Sequence, residues 1–238
     1  MILSVAIAAF LIGFNKAGVA GTLGPFVTVL LALSIPADDA VGLLLPILIV
    51  ADWFTLAAHW KQWDTRIYLR LLMAALIGIA IGSLVISAVS ETVLRRIIAV
   101  AMLGFALFYI RSRTIRLDPE KSDRYAWPAG ATSGLISTLA HLGGPPVFVY
   151  LMTTNLNPRR FVATSAVLFA TINLLKVPGY FLAGLFDVEL IVSTMWTWVM
   201  IPVGVLVGRA MVDKINRERF EKVTVILLTA GALLLLVF

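Results

Sequence analysis

The chain contains no cysteine, which excludes both a disulfide framework and a thiolate metal site. Charge is scarce as well, because Asp, Glu, Lys and Arg together make up 13% of its 238 residues. A soluble domain contains about a quarter of such residues. Hydrophobic residues make up 61% of the chain, so too few polar side chains remain to cover a water-facing surface. We therefore expect lipid to be the solvent around most of this protein.

The apolar segments also lack the alternating pattern of membrane β-strands. In hydrocarbon every backbone amide needs an internal partner, which leaves only helices and closed barrels. The segments here are about 20 residues long, the length of a spanning helix. The sequence therefore predicts an all-α polytopic membrane protein. The apolar run at 1–13 lacks a basic segment before it, so we expect no cleavable signal peptide.

The two halves of the chain resemble each other. Gly78-xxx-Gly82 recurs 126 residues later as Gly204-xxx-Gly208, and each half has an apolar run that breaks at a Gly-Pro step. These matches predict two repeats of inverted topology, each a broken helix followed by three spanning helices. The predicted boundaries are a first repeat at 1–111 (broken helix 2–33, spans 39–59, 67–88 and 93–110), a cytoplasmic linker at 112–126, and a second repeat at 127–238 (broken helix 127–154, spans 161–185, 190–212 and 220–238).

The basic residues of the loops distinguish two topologies for the broken helices. If both broken helices cross the membrane, the Lys and Arg residues divide almost evenly between its two sides. If both fold back as re-entrant hairpins, only Arg95 and Arg96 remain on one side. Basic loops collect in the cytoplasm, so the re-entrant topology is favoured. It places both termini outside and the central linker in the cytoplasm, and it explains the net charge of +6 without a nucleic-acid partner.

The two breaks predict an anion site. Proline suits the first turn of a helix, so a helix N-terminus should begin at Gly24-Pro25 and another at Gly144-Pro145. Helix N-termini are partly positive and bind anions. The alternative is that the glycines and prolines only allow close helix packing. The candidate substrate-binding residues are Asn15, Lys16, Gly21, Thr22, Gly24, Ser137, Thr138, His141, Gly143 and Gly144.

Three polar residues inside the predicted spans are candidates for coupling or gating: Asp52, Asn173 and Lys176. Ionisable residues within a membrane are usually paired and functional. Asp52 pairs with Lys16 or Lys176 as a structural ion pair, or it carries a coupling proton, or one lysine meets the substrate. The sequence leaves these alternatives open. His59 is interpreted as a solvated residue near the interface.

The break GFNKAGVAGTLGPF at 13–26 and the later GLIST and HLGGPP motifs resemble the sulfite exporter TauE/SafE family. The resemblance extends over nearly the whole chain. It implies a secondary transporter that moves sulfite or an organosulfonate across a bacterial inner membrane. Neutral side chains beside the breaks would complete the shell around such an anion, since a sulfonate presents three acceptor oxygens.

Two other functions compete with a transporter. A passive anion channel would use the same positive pocket, and the sequence does not separate it from a carrier. A membrane-embedded lipid phosphatase needs several carboxylates to hold its metal, whereas Asp52 stands alone within the predicted spans. We therefore expect no enzyme activity, no metal and no cofactor. The paired glycines permit close helix crossing, either within one chain or in a homodimer.

Overall fold

The structure is a computed structural model that describes residues 1–16, 24–112, 122–211, 225–226 and 229–236. Its regular elements over these residues are all helical, which confirms the predicted fold class. Residues 225–226 and 229–236 are helical as well. The helices are α1 (Ile2–Lys16), α2 (Gly24–Ala32), α3 (Ala37–Ala58), α4 (Thr65–Ala88), α5 (Glu91–Ser112), α6 (Ser122–Ala140), α7 (Gly144–Met152), α8 (Pro158–Leu182), α9 (Val188–Thr194) and α10 (Met200–Met211).

Several helices are long and apolar enough to cross a membrane. Four such segments occur in the described part of the chain: Ala37–Ala58, Thr65–Ala88, Arg159–Leu182 and Val188–Ala210. Large apolar side chains cover their outer faces, and Leu182, for example, is 84% exposed. Such a surface is stable in lipid and unstable in water. The protein is therefore a polytopic helical membrane protein.

Polar caps and interruptions set several helix ends. The side chain of Asp64 accepts a hydrogen bond from Ile67 N at 3.0 Å, which starts α4 two residues before the predicted span. α6 begins at Ser122, inside the segment predicted as a linker. The predicted span 190–212 contains a 3-10 segment, Met195–Val199, between α9 and α10. Of the last predicted span, 220–238, the structure describes residues 225–226 and 229–236.

Each broken helix folds back on itself as a helical hairpin. Ser34 Oγ, just after α2, donates a 2.9 Å hydrogen bond to Ser4 Oγ near the start of α1, so the outer ends of the two arms lie together. In the second hairpin, Ser133 Oγ of α6 donates to Gly143 O at 2.6 Å, and α7 packs against α6.

The two halves also pack against each other in a reciprocal way. α4 of the first half packs against α6, and α10 of the second half packs against α1. Gly78 lies against the carbonyl oxygen of Ala131, and Gly204 lies in the same way against the carbonyl oxygen of Phe10. In both places the neighbour's backbone occupies the position of a side chain. Glycine is required there because it alone allows such close approach of two helices.

Candidate functional site

A buried ionic cluster lies where α1, α3 and α8 meet. Lys16 Nζ, at the end of α1, forms an ion pair with Asp52 Oδ1. Asn173 Nδ2 donates a 2.7 Å hydrogen bond to the other oxygen, Asp52 Oδ2. Asp52 is 2% exposed and Asn173 4%, whereas the Lys16 side chain keeps 16% exposure. Both carboxylate oxygens thus have donors, which offsets much of the desolvation of this buried charge.

Lys176 is fully buried and contacts the tip of the second hairpin. Its ammonium donates to Ser137 O at 3.1 Å, to Ser137 Oγ at 3.2 Å and to His141 Nδ1 at 3.0 Å. The Ser137 carbonyl belongs to the last turn of α6, where the helix dipole is negative and favours a cation. The ion pair of Asp52 is therefore made with Lys16, while Lys176 binds the carbonyl end of α6.

His141 forms the corner between α6 and α7. Its φ of +56° lies in the left-handed region, which residues other than glycine seldom adopt. His141 Nε2 lies 3.0 Å from Val41 O. A carbonyl can only accept, so Nε2 carries the proton and Nδ1 accepts from Lys176. The ring is thus a neutral bridge between α3 and Lys176, and its two bonds hold the strained corner in place.

Two further side chains bind the carbonyl end of α6. The Tyr180 hydroxyl donates to Thr138 O at 2.6 Å, and the Thr28 hydroxyl donates to Ala140 O at 3.0 Å. Thr28 belongs to α2, so its bond joins the first hairpin directly to the tip of the second. Sequence reasoning missed both residues. Tyr180 lies one helical turn after Lys176 on the same face of α8, which was the one available signal.

The helix after the second break begins where the sequence predicts. α7 starts at Gly144, at its Gly-Pro step, and the described part of α2 starts at Gly24, where the description of the chain resumes. Pro145 and Pro146 have no N–H, however, so the first turn of α7 offers few backbone donors to an anion. A Cβ on Gly143 would lie 2.7 Å from Ser133 O. Close packing is therefore one role of this glycine.

The predicted site residues fall into two adjoining groups in the structure. Gly21 and Thr22 lie outside the described residues, and Asn15 is half-buried beside Lys16. His59 caps the end of α3, away from both groups; partial burial and the nearby Arg209 lower the pKa of its imidazole. The first group contains Lys16, Asp52 and Asn173, and the second contains Ser137, Thr138, His141, Gly143 and Lys176.

This fold and this site define a polytopic helical membrane protein with ionic groups held inside its bundle, an arrangement typical of transport proteins. The chain belongs to the sulfite exporter TauE/SafE family, whose family model matches residues 5–235. It is thus a member of a family of membrane transporters, and the resemblance read from the sequence is confirmed. Searches of the curated proteins and of the solved structures returned no match.

Proposed function

We propose that the protein is a secondary transporter that exports a small sulfur-containing oxyanion, sulfite or an organosulfonate, across a bacterial inner membrane. The observation that carries this proposal is the charge balance of the buried site. Lys16 and Asp52 neutralise each other. Lys176 is bound by neutral acceptors, Ser137 and His141. With Lys176 protonated, these described groups hold a net charge of one positive unit, which a bound monoanion neutralises.

Lys16 is the residue through which an anion enters the site. Its side chain is the more exposed of the two lysines, with 16% exposure, and it ends α1 at the first break. A sulfonate or sulfite offers several oxygens to charged donors and competes with Asp52 for the Lys16 ammonium. Asp52 then keeps its bond to Asn173 and stays ionised, so the site is neutral with the monoanion bound. This exchange of partners makes Asp52 the gating residue of the proposal.

The reciprocal packing of the two halves supports inverted repeats around this site. The contact of Gly78 with Ala131 is matched by that of Gly204 with Phe10. In the proposed topology the two hairpins enter from opposite sides, the termini lie outside and the central linker lies in the cytoplasm. An interior-negative potential then favours efflux of an anion by about 2.3 kcal/mol per charge for each 100 mV. Reporter fusions in the linker and at the C-terminus test this topology, which fails if both report one compartment.

Flux into and out of proteoliposomes tests the transport function. We expect saturable movement of sulfite or sulfoacetate, and a loss of about tenfold or more for Lys16→Met, because a charge-assisted contact contributes at least about 1.4 kcal/mol. Arg95→Gln is the matched control, since Arg95 is a cation whose partner, Glu91, is exposed. The proposal fails if Lys16→Met and Lys176→Met both transport these anions as well as the unmodified protein.

A further inference from the structure

An apolar cavity of about 450 Å³ lies between α5 and the second hairpin. α5 lines it with Ala101 and Gly104, α6 with residues from Tyr125 onward, and α7 with Pro145 and its neighbours. The residues of the ionic clusters do not line it, so it is distinct from the proposed anion site. Its volume lies within the range of small-molecule pockets, about 300–1,000 Å³.

The cavity is open towards the outside of the helix bundle. Gly104, Pro128 and Thr132 line it and are exposed in the structure. A Cβ added to Gly104 would meet no atom within 4 Å, in contrast to the tightly packed Gly78. In the topology proposed above, α5 and the second hairpin lie within the membrane, where the surrounding medium is lipid acyl chains. An acyl chain therefore has both access to the cavity and the right chemistry to fill it.

A basic side chain lies beside one end of the cavity. Tyr125 lines the cavity in the first turn of α6, and the exposed Arg124 directly precedes it. Basic side chains at the membrane surface attract anionic lipid headgroups, by about 1 kcal/mol each. This charge favours an anionic phospholipid over a zwitterionic one.

We propose that this cavity is a binding site for an anionic phospholipid such as phosphatidylglycerol. One acyl chain lies between α5 and the second hairpin, and the phosphate lies at Arg124. The chain extends along α6 towards Leu142 and Pro145 at the hairpin tip, both of which line the cavity. A bound lipid thus supports the hairpin from its outer side. The proposal does not depend on the identity of the transported anion.

Lipid retention by the purified, delipidated full-length protein tests this site. Phosphatidylglycerol or phosphatidylcholine is titrated in, and native mass spectrometry counts the bound molecules. We expect one retained phosphatidylglycerol, and about tenfold weaker retention for Gly104→Leu, whose side chain fills the cavity. Val100→Leu is the matched control, because Val100 lies on the same helix, is 63% exposed and does not line the cavity. It should retain lipid normally.

Two further variants separate the chain from the headgroup. Arg124→Gln should lose the preference for phosphatidylglycerol over phosphatidylcholine and still retain one lipid. Ala101→Leu fills the same cavity from the preceding turn of α5, and it replaces Gly104→Leu if that variant unfolds early. Unchanged retention in a folded cavity-filling variant would overturn the site. Equal retention of both lipids by the unmodified protein would overturn the assignment of an anionic headgroup.

Discussion

Asn173 Nδ2 donates a 2.7 Å hydrogen bond to Asp52 Oδ2, although the two residues are 121 positions apart. α3 and α8, which carry them, occupy the same place in the predicted first and second repeats. Two equivalent residues contact each other only where the axis that relates the repeats passes between them. In the proposed inverted repeat, the axis that relates the two halves runs through the Asp52–Asn173 bond. The two positions differ in charge, and Asp52 is the one negative group among the described residues of the site.

Two other glycine contacts also match between the two halves of the chain. Gly13 lies against Ile201 O, and Gly134, which follows Gly13 by 121 residues, lies against Ala75 O. Ile201 follows Ala75 by 126 residues, the offset that also separates Gly78 from Gly204. In both places the broken helix of one half packs against a helix of the other half, and this reciprocal contact supports the proposed inverted repeats.

Removing one partner of the Lys16–Asp52 pair should destabilise the protein more than removing both. Lys16→Met leaves a buried carboxylate without its cation. Breaking a fully buried pair in this way lowers the free energy of unfolding by about 3–5 kcal/mol. We expect a smaller decrease here because the Lys16 side chain is 16% exposed. The double variant Lys16→Met/Asp52→Asn should recover part of the loss. Thermal unfolding of the purified protein measures these changes.

The exposed Arg95–Glu91 pair is the control for this comparison. Arg95 Nη2 lies 3.1 Å from Glu91 Oε1, and the two residues are one helical turn apart. Such surface pairs contribute about 0–1 kcal/mol to stability. Arg95→Gln should therefore unfold almost as the unmodified protein does. A double variant at Lys16 and Asp52 that is no more stable than the worse single variant would contradict a direct ion pair.

Lys176→Met should abolish anion flux and also loosen the tip of the second hairpin. The substitution removes the uncompensated positive charge and the bonds to Ser137 and His141. Tyr180→Phe is the matched control, because it removes only the bond to Thr138 O and leaves the charge unchanged. We expect Tyr180→Phe to lose about 1 kcal/mol of stability and to keep most of its flux. Equal loss of flux in the two variants would assign Lys176 a purely structural role.

Hydropathy and the Gly-Pro steps were sufficient to predict the helical membrane fold and the start of α7. The extent of α1 was not predictable in this way. The first apolar run of the sequence ends at Gly13, whereas α1 continues to Lys16. Gly13 is there because the backbone of Ile201 lies against it, and a contact with a residue so distant in the chain leaves no local signal.

The polar contacts of the site were also predictable from the sequence only in part. Composition and spacing singled out Lys16, Asp52 and Lys176, because charges are rare in apolar spans. They could not show which lysine pairs with Asp52. That choice depends on how α8 packs against the end of α6, where the free carbonyls attract Lys176. Thr28 of α2 also donates to this carbonyl end of α6, and its polar side chain is unremarkable in an apolar helix.

Alanine at Gly78 or at Gly204 should destabilise the protein by similar amounts. A methyl group would overlap Ala131 O at the first site and Phe10 O at the second, so the helices must move apart at either seam. We expect a loss of about 1–3 kcal/mol at each, the range for overpacking. Gly104→Ala is the control, because open space surrounds that position. In thermal unfolding, Gly104→Ala should be as stable as the unmodified protein or slightly more stable.

The fold-back of the first hairpin predicts a cross-link. Ser4 Oγ and Ser34 Oγ lie 2.9 Å apart, close enough for a disulfide after substitution. The chain has no native cysteine, so Ser4→Cys/Ser34→Cys introduces a single pair. We expect mild oxidation in intact membranes to join the two positions rapidly, as detected by the mobility of a fragment after cleavage between them.

Ser4→Cys/Ser87→Cys is the control pair for this cross-link. Ser87 Oγ bonds to Leu84 O within its own helix and lies near the end of α4 that the proposed topology places on the same side of the membrane as Ser4. Both cysteines should then react with an impermeant thiol reagent without forming a disulfide. If α1 and α2 together crossed the membrane, Ser4 and Ser34 would be about 30 Å apart and would label from opposite sides. That result would replace the re-entrant hairpin with a spanning broken helix.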